Sequence, residues 1–183
     1  RWVYVGLALM ALLSATLTWR LPPLFRNRDK TEREPFLVSL KGGIGFARSN
    51  RVVFGGLLLV ALSNLTAFSY EAMVPAVADQ VFHAGPVEFG WFLSATGAGS
   101  LFTGLWLSLR RTSMARPGLV GLAAAAGLHG MQILFSSAQT MALSLLGLAV
   151  IGAVGTIFSI SHSSLFLTAT PDHLRGRVLG LQV

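Results

Sequence analysis

Five long apolar runs divide this chain: Trp2 to Trp19, Val52 to about Pro75, Phe89 to Leu109, Pro117 to Phe135, and Met141 to about Phe166. A helix that crosses a bilayer needs about 20 predominantly apolar residues, and each run is of that order. Apolar and polar residues do not alternate within them, as they would along the strands of a membrane barrel; GLALMALLSATLTW and VGLAAAAGL are apolar all round. The pattern predicts helices, and therefore an all-α membrane protein built as a polytopic helical bundle. The polar stretch SSAQT at 136–140 separates the fourth run from the fifth. Another apolar run starts at Val178, and Arg1 leads straight into the first, so both ends are expected to continue into a longer protein with an N-terminal half not contained here.

Composition sharpens the class. With 53% apolar and 11% charged residues the chain lies far from a soluble domain, where about a quarter of residues are charged. A net charge of +7 in a soluble protein would suggest nucleic acid, but here the charge is grouped between apolar runs. Eight of the fourteen basic residues lie between Arg20 and Arg51, three between Arg110 and Arg116, and two at Arg175 and Arg177. The intervening loops carry Glu71, Asp79 and Glu88, or no charge at all. Every other loop is thus basic, and the positive-inside rule places those loops in the cytoplasm of a multi-pass protein of the cell membrane, with no nucleic-acid partner. The domain boundaries follow: a span at 1–19, a basic cytoplasmic linker at 20–51, and a second bundle at 52–183 with spans near 52–75, 89–109, 117–135 and 141–166 and the start of another at 178. There is no cysteine, which removes disulfides and thiolate chemistry, and no clustered metal-ligand motif.

Inside the linker, FLVSLKGGIGFARSNR follows the charged RNRDKTEREP. Phe36, Leu40 and Ile44 recur every four residues, which predicts a juxtamembrane amphipathic helix with Lys41, Arg48 and Arg51 available to lipid phosphates; a plain solvated linker is the competing reading. Ser49 or Asn50 is placed to cap the helix that follows.

Polar residues within spans usually face a bundle interior or a water-filled cavity. Asn64, Tyr70 and Glu71 fall near one face of the second span, and Thr156, Ser159, His162 and Ser163 lie on one broad stripe of the fifth. These seven are the candidates for a substrate pathway. For the hydroxyls the bland reading is a hydrogen bond back to the preceding turn. Asn64 cannot satisfy its whole amide within its own helix. Glu71 is the candidate for a coupling proton, because a carboxyl in low dielectric keeps a proton more readily than one in water. His129 reads as a packing residue. Small residues mark contact faces in lipid, and Gly97, Gly99, Ser100 and Gly104 are the helix-packing candidates of the third span, alongside Gly90, Ser94 and Ala98. In PDHLRGRVLGL, Arg175 and Arg177 flank Gly176 just before a new span, where guanidiniums can pair with carboxylates or helix C-terminal carbonyls and latch the inner side.

These pieces resemble a major facilitator superfamily transporter. WRLPP at the end of the first span, the glycine-rich FLSATGAGSLFTG helix and TPDHLRGRVLGL are similar to the enterobactin-exporter and macrolide-efflux-like branch of the bacterial facilitators. The resemblance implies a partial facilitator fold, helices six to ten and the start of eleven, with helices seven and ten lining the cavity. It also implies secondary, proton-driven antiport of a small amphiphilic compound, drug or siderophore-like, out of a bacterial cell across the inner membrane, with no enzyme activity and no cofactor. One departure stands out: where the family carries an aspartate four residues after a glycine, Gly104 is followed by Ser108 and then Arg110 and Arg111. A receptor or assembly subunit that transports nothing is the alternative from another class. Cysteines introduced at Asp79 and at Arg111 should label from opposite sides of the membrane; labelling of both from one side would overturn the topology.

Overall fold

The computed structural model describes residues 2–20, 36–110 and 114–181. The linker residues 21–35, Arg111 and the last two residues of the run that begins at Val178 lie outside the described residues. All regular elements among the described residues are helices: α1 (Trp2–Trp19), α2 (Phe36–Ser49), α3 (Arg51–Gln80), α4 (Pro86–Leu109), α5 (Pro117–Ser136), α6 (Met141–Ala169) and the short α7 (Arg175–Leu179). The chain divides into two units, α1 with residues up to Pro35, and α2 to α7. Among the described residues four helices, α3 to α6, are long and apolar enough to cross a membrane. The protein is a multi-pass, all-α membrane protein.

Local chemistry sets the helix ends. Asn50 caps α3, its Oδ1 accepting from the N–H groups of Val52 and Val53 at 3.0 and 3.2 Å. Pro86 and Pro117 open α4 and α5, where a missing N–H is harmless, and Thr140 caps α6 through the Leu143 N–H at 3.3 Å. The expected end of the second span at Pro75 is not where α3 stops; the helix runs on to Gln80. Pro75 has no N–H to give to the Glu71 carbonyl, so the ladder is interrupted at that turn while the helix continues. At 30 residues α3 is about 45 Å long, well over the ~30 Å hydrocarbon core.

The second unit is organised around α6. Gly121 faces Ser161, Gly127 faces Val154 and Phe135 faces Gly147, so α5 runs antiparallel along α6. On another side α4 runs parallel to it, and there the backbones touch. A Cβ added to Gly99 would overlap the Ala149 carbonyl, and one added to Gly152 would overlap the Thr96 carbonyl. Ser100 Oγ then reaches across to donate to the Gly152 carbonyl at 3.0 Å. Two apolar clusters fill the remaining space, one with Val53, Val60, Ala124, Phe158, Phe166 and Val178, the other with Val74, Ala78, Phe92, Leu128, Leu148 and Ile151.

α2 is a helix, but the face it buries is not the stripe of large apolar residues. Gly43 and Ala47 are buried, Leu40 is half-buried and Ile44 is exposed. The reason is Arg177 of α7, which lies so close to the glycine pair that a Cβ at Gly42 would stand 2.9 Å from its Nη1 and one at Gly43 would stand 3.3 Å from its Cβ. A backbone without side chains admits that approach; leucine or isoleucine would not.

The crossing of α4 and α6 predicts a sharp contrast between two neighbouring glycines. Gly99→Ala or Gly152→Ala should lower stability in detergent by about 1–3 kcal/mol, the usual range for overpacking. Gly97→Ala should cost nothing, since no atom lies within 4 Å of a Cβ there. Thermal unfolding of the three variants checks this.

Candidate functional site

Five of the hydroxyls on α3 and α6 are satisfied inside their own helix, Thr168 through the Ser164 carbonyl at 2.8 Å. Thr66 donates to the Leu62 carbonyl at 2.8 Å, Ser69 to Leu65 at 3.1 Å, Thr156 to Gly152 at 3.0 Å and Ser161 to Ile157 at 2.6 Å. His162 is half-buried, stacked at 4.9 Å from the Phe158 ring and 6.2 Å from the Phe166 ring. Its Nδ1 lies 2.9 Å from the Phe158 carbonyl. A carbonyl only accepts, so Nδ1 carries the hydrogen and Nε2 is left as the atom able to accept a hydrogen bond or a proton.

Burial along one face of α6 is interrupted. Residues seven apart share a helix face, and Gly152, Ser159 and Phe166 form such a series. Gly152 is buried by α4 and Phe166 is buried beside Gly56 of α3, yet Ser159 between them is exposed. α3 has a matching interruption: Glu71 is exposed although it shares a face with Val60 and Ala78, both buried. Asn64 is exposed as well, Tyr70 is half-buried against the Val74 and Ala78 cluster, and Ser163 is half-buried. Gly56 meets the Phe166 ring, and from that point Asn64 is eight residues along α3 while Ser159 is seven back along α6. Both therefore lie about 11 Å from the contact, at one depth. Glu71 is fifteen residues from the contact and His162 four on its own helix, a difference in depth of about 16 Å. The structure thus sets Asn64 and Ser159 level, with Ser163 and His162 within a turn of Ser159, and leaves Glu71 apart, beside the carbonyl that Pro75 fails to satisfy.

At the far end of α6, Arg175 Nε donates to the carbonyls of Leu167 and Thr170 at 3.0 and 3.2 Å, and its Nη1 pairs with Asp172 at 2.8 Å. A cation there satisfies carbonyls that a helix C-terminus leaves without partners. Asn50 Nδ2 donates to the Ala169 carbonyl at 3.5 Å, so the α2–α3 junction is fastened to the same end. Arg177 seats on Gly42 and Gly43, while Gly176 is exposed. Of the packing candidates, Gly99, Ser100 and Gly104 face α6, whereas Gly97 is exposed together with Ser94 and Ala98. Ser108 donates back to the Leu105 carbonyl at 2.7 Å, and Arg110 stacks 3.9 Å over the Trp106 ring.

Sequence reasoning missed one cluster. His129 of α5 has Nε2 3.3 Å from Thr66 Oγ1 of α3 and Nδ1 3.0 Å from Gln132 Oε1, and the buried Gln132 Nε2 has no partner. Because the Thr66 hydroxyl donates to Leu62, its oxygen is an acceptor toward His129. The Thr66 hydroxyl and the Gln132 amide thus both stand within hydrogen-bonding distance of the one imidazole. The three residues lie on two helices, and no spacing in the sequence links Thr66 to His129. Among the described residues no group of three or more His, Asp and Glu is placed to hold a metal ion.

Comparison with known proteins agrees with this architecture. The family model described as Major Facilitator Superfamily matches residues 1–183. An "Enterobactin exporter EntS" of Shigella boydii serotype 18 is 30% identical over 149 residues, covering 81% of this chain and 35% of the relative. The protein of the same name from Escherichia coli O81 is 29% identical over the same shares. The chain spans about a third of the length of these curated relatives. No solved structure matches it.

The interruption on α6 is testable by thiol chemistry. Ser159→Cys should react with a water-soluble maleimide, and Ser161→Cys should not, since Ser161 is wholly buried. Equal labelling of the two would remove the interruption.

Proposed function

This chain belongs to the Major Facilitator Superfamily, and from that premise we propose that it forms the core of one half of a secondary efflux transporter that works by alternating access, its two helical halves rocking about a midplane cavity. On this reading α1 is the last helix of the first half, residues 20–51 are the cytoplasmic linker, and 52–183 begin the second half, in the inner membrane of a bacterium with the basic loops inside. The observation that carries it is the paired interruption of the buried faces of α3 and α6. Asn64 and Ser159 stand exposed at one depth near the middle of both helices, where a soluble protein would have core. Asn64, Tyr70, Thr156, Ser159, His162 and Ser163 then line the route. The His162 Nε2, the Asn64 amide and the Tyr70, Ser159 and Ser163 hydroxyls have hydrogen-bonding capacity left over for a substrate.

The substrate class is a small amphiphile carrying hydrogen-bond donors, drug-like or siderophore-like, in keeping with the exporter names of the relatives. Protons are the coupling ion, with Glu71 as the candidate carrier on the outer side. Arg175, Gly176 and Arg177 form the inner gate: Arg175 ties α7 to the end of α6, and Arg177 ties it to α2.

Efflux by the intact protein in cells lacking their own exporters, measured with a panel of fluorescent amphiphiles and catechol siderophores, tests the reading. Asn64→Leu and Ser159→Leu should each cut efflux more than about tenfold with normal expression, since a transport step loses tenfold for each ~1.4 kcal/mol of lost interaction. Wild-type efflux in both would remove this pathway, and unchanged pH dependence in Glu71→Gln would remove Glu71 as the proton carrier.

A further inference from the structure

α2 presents two unlike faces. One is used: Gly43 and Ala47 are buried, with Gly42, Phe46 and Leu40 half-buried beside them, against α7 and the start of α3. The other carries Leu37, Lys41, Ile44 and Arg48, spaced four, three and four residues apart, so that they form one stripe along the helix. All four are exposed, Leu37 by 67% and Ile44 by 37%, and Val38 at the edge of the stripe by 51%. The helix has no acidic residue, and among the described residues neither Lys41 nor Arg48 has an ionic or hydrogen-bonding partner. Asn50 joins α2 directly to α3, a helix of membrane-crossing length.

We propose that this stripe is a binding site for anionic phospholipid, with Leu37 and Ile44 entering the acyl region and Lys41 and Arg48 holding headgroup phosphates. The occupant follows from two properties of the face together. Interleaved aliphatic and basic side chains match the boundary between acyl chains and phosphates, because long basic side chains keep their charge at the headgroups while their stems lie along apolar surface. The position at the end of α3 puts the stripe at that boundary. A neutral lipid satisfies the aliphatic half alone; an anionic one satisfies both. The opposite face is held to α7 by the close approach of Arg177 to Gly42 and Gly43, so lipid and α7 grip one short helix from opposite sides. The site stands independently of the transport reading.

Gly45 offers a probe position, since it is exposed and nothing lies within 4 Å of a Cβ there. The intact protein carrying Gly45→Cys as its single cysteine, labelled with an environment-sensitive fluorophore, is placed in nanodiscs of phosphatidylcholine with increasing phosphatidylglycerol. The emission should shift to the blue as phosphatidylglycerol rises. Lys41→Gln with Arg48→Gln should weaken that response by roughly thirtyfold, at about fivefold per basic residue near an anionic surface, and 1 M salt should suppress it. Inorganic phosphate added to phosphatidylcholine discs should not reproduce it. A water-like emission in every lipid would overturn the proposal, as would a blue emission indifferent to headgroup and to the two substitutions, which would mean that protein covers the stripe. Thermal unfolding of the double variant separates loss of lipid binding from loss of fold.

Discussion

The structure of this bundle depends on the direct contact of two backbones, α4 against α6, at Gly99 and Gly152. In water, apolar helices are driven together by the exclusion of solvent. In a bilayer the surrounding acyl chains are as apolar as leucine, so the drive is gone and association rests on close packing and on hydrogen bonds made across the contact. Each glycine leaves room for a carbonyl of the other helix, Thr96 in one direction and Ala149 in the other. Only at that distance does Ser100 reach the Gly152 carbonyl, which already accepts from Thr156. The hydrogen bond depends on the packing, and the packing on the absence of two methyl groups.

How much of this is legible in the sequence divides along a physical line. Hydropathy and the parity of the basic loops are properties of single segments, and they suffice for the all-α, multi-pass class. That α4 packs through small residues is legible too. Which of its small residues make contact is not, because Gly97 and Gly99 differ by 200° around the helix and only the position of α6 decides between them. α2 shows the same limit. Its large apolar residues suggest a face toward the membrane interface; that the face packed on protein is the one with glycines is not legible, since its neighbour is a guanidinium lying against the backbone. The Thr66, His129 and Gln132 cluster has no trace in local spacing, its two helices being brought together by tertiary packing alone.

Polar residues of α3 and α6 sort by whether their own helix satisfies them. Thr66, Ser69, Thr156 and Ser161 return their hydroxyl hydrogens to carbonyls three or four residues back, so their presence in a span says little about ligands. An amide has more capacity than one carbonyl can meet, a carboxylate accepts only and gains nothing from a carbonyl, and Asn64 and Glu71 are both exposed on faces that are elsewhere buried. His162 lies between these cases: one nitrogen is fixed by the Phe158 carbonyl and the other is left over. Selecting for leftover capacity, rather than polarity, removes Thr156 from the seven candidates and keeps the others, Ser159 among them.

The glycine crossing also constrains the proposed rocking motion. α5 lies along α6 from Gly118 to Phe135, and α4 cannot slide on α6 without driving a side chain into a carbonyl, so these three helices move as one body. α3 is attached differently. It meets α6 through Gly56 and Phe166 near one end, is tied there again by Asn50 to Ala169, and has its ladder broken at Pro75 near the other. The interruption falls one turn from Glu71, between Val74 and Ala78, which pack with Phe92, Leu128 and Leu148. On the proposed reading, a displacement of the segment around Pro75 changes the solvation of the Glu71 carboxyl and the width of the route past Asn64 together. On the same proposed reading, proton binding at Glu71 and access to the route meet on one helix without requiring Glu71 and His162 to touch.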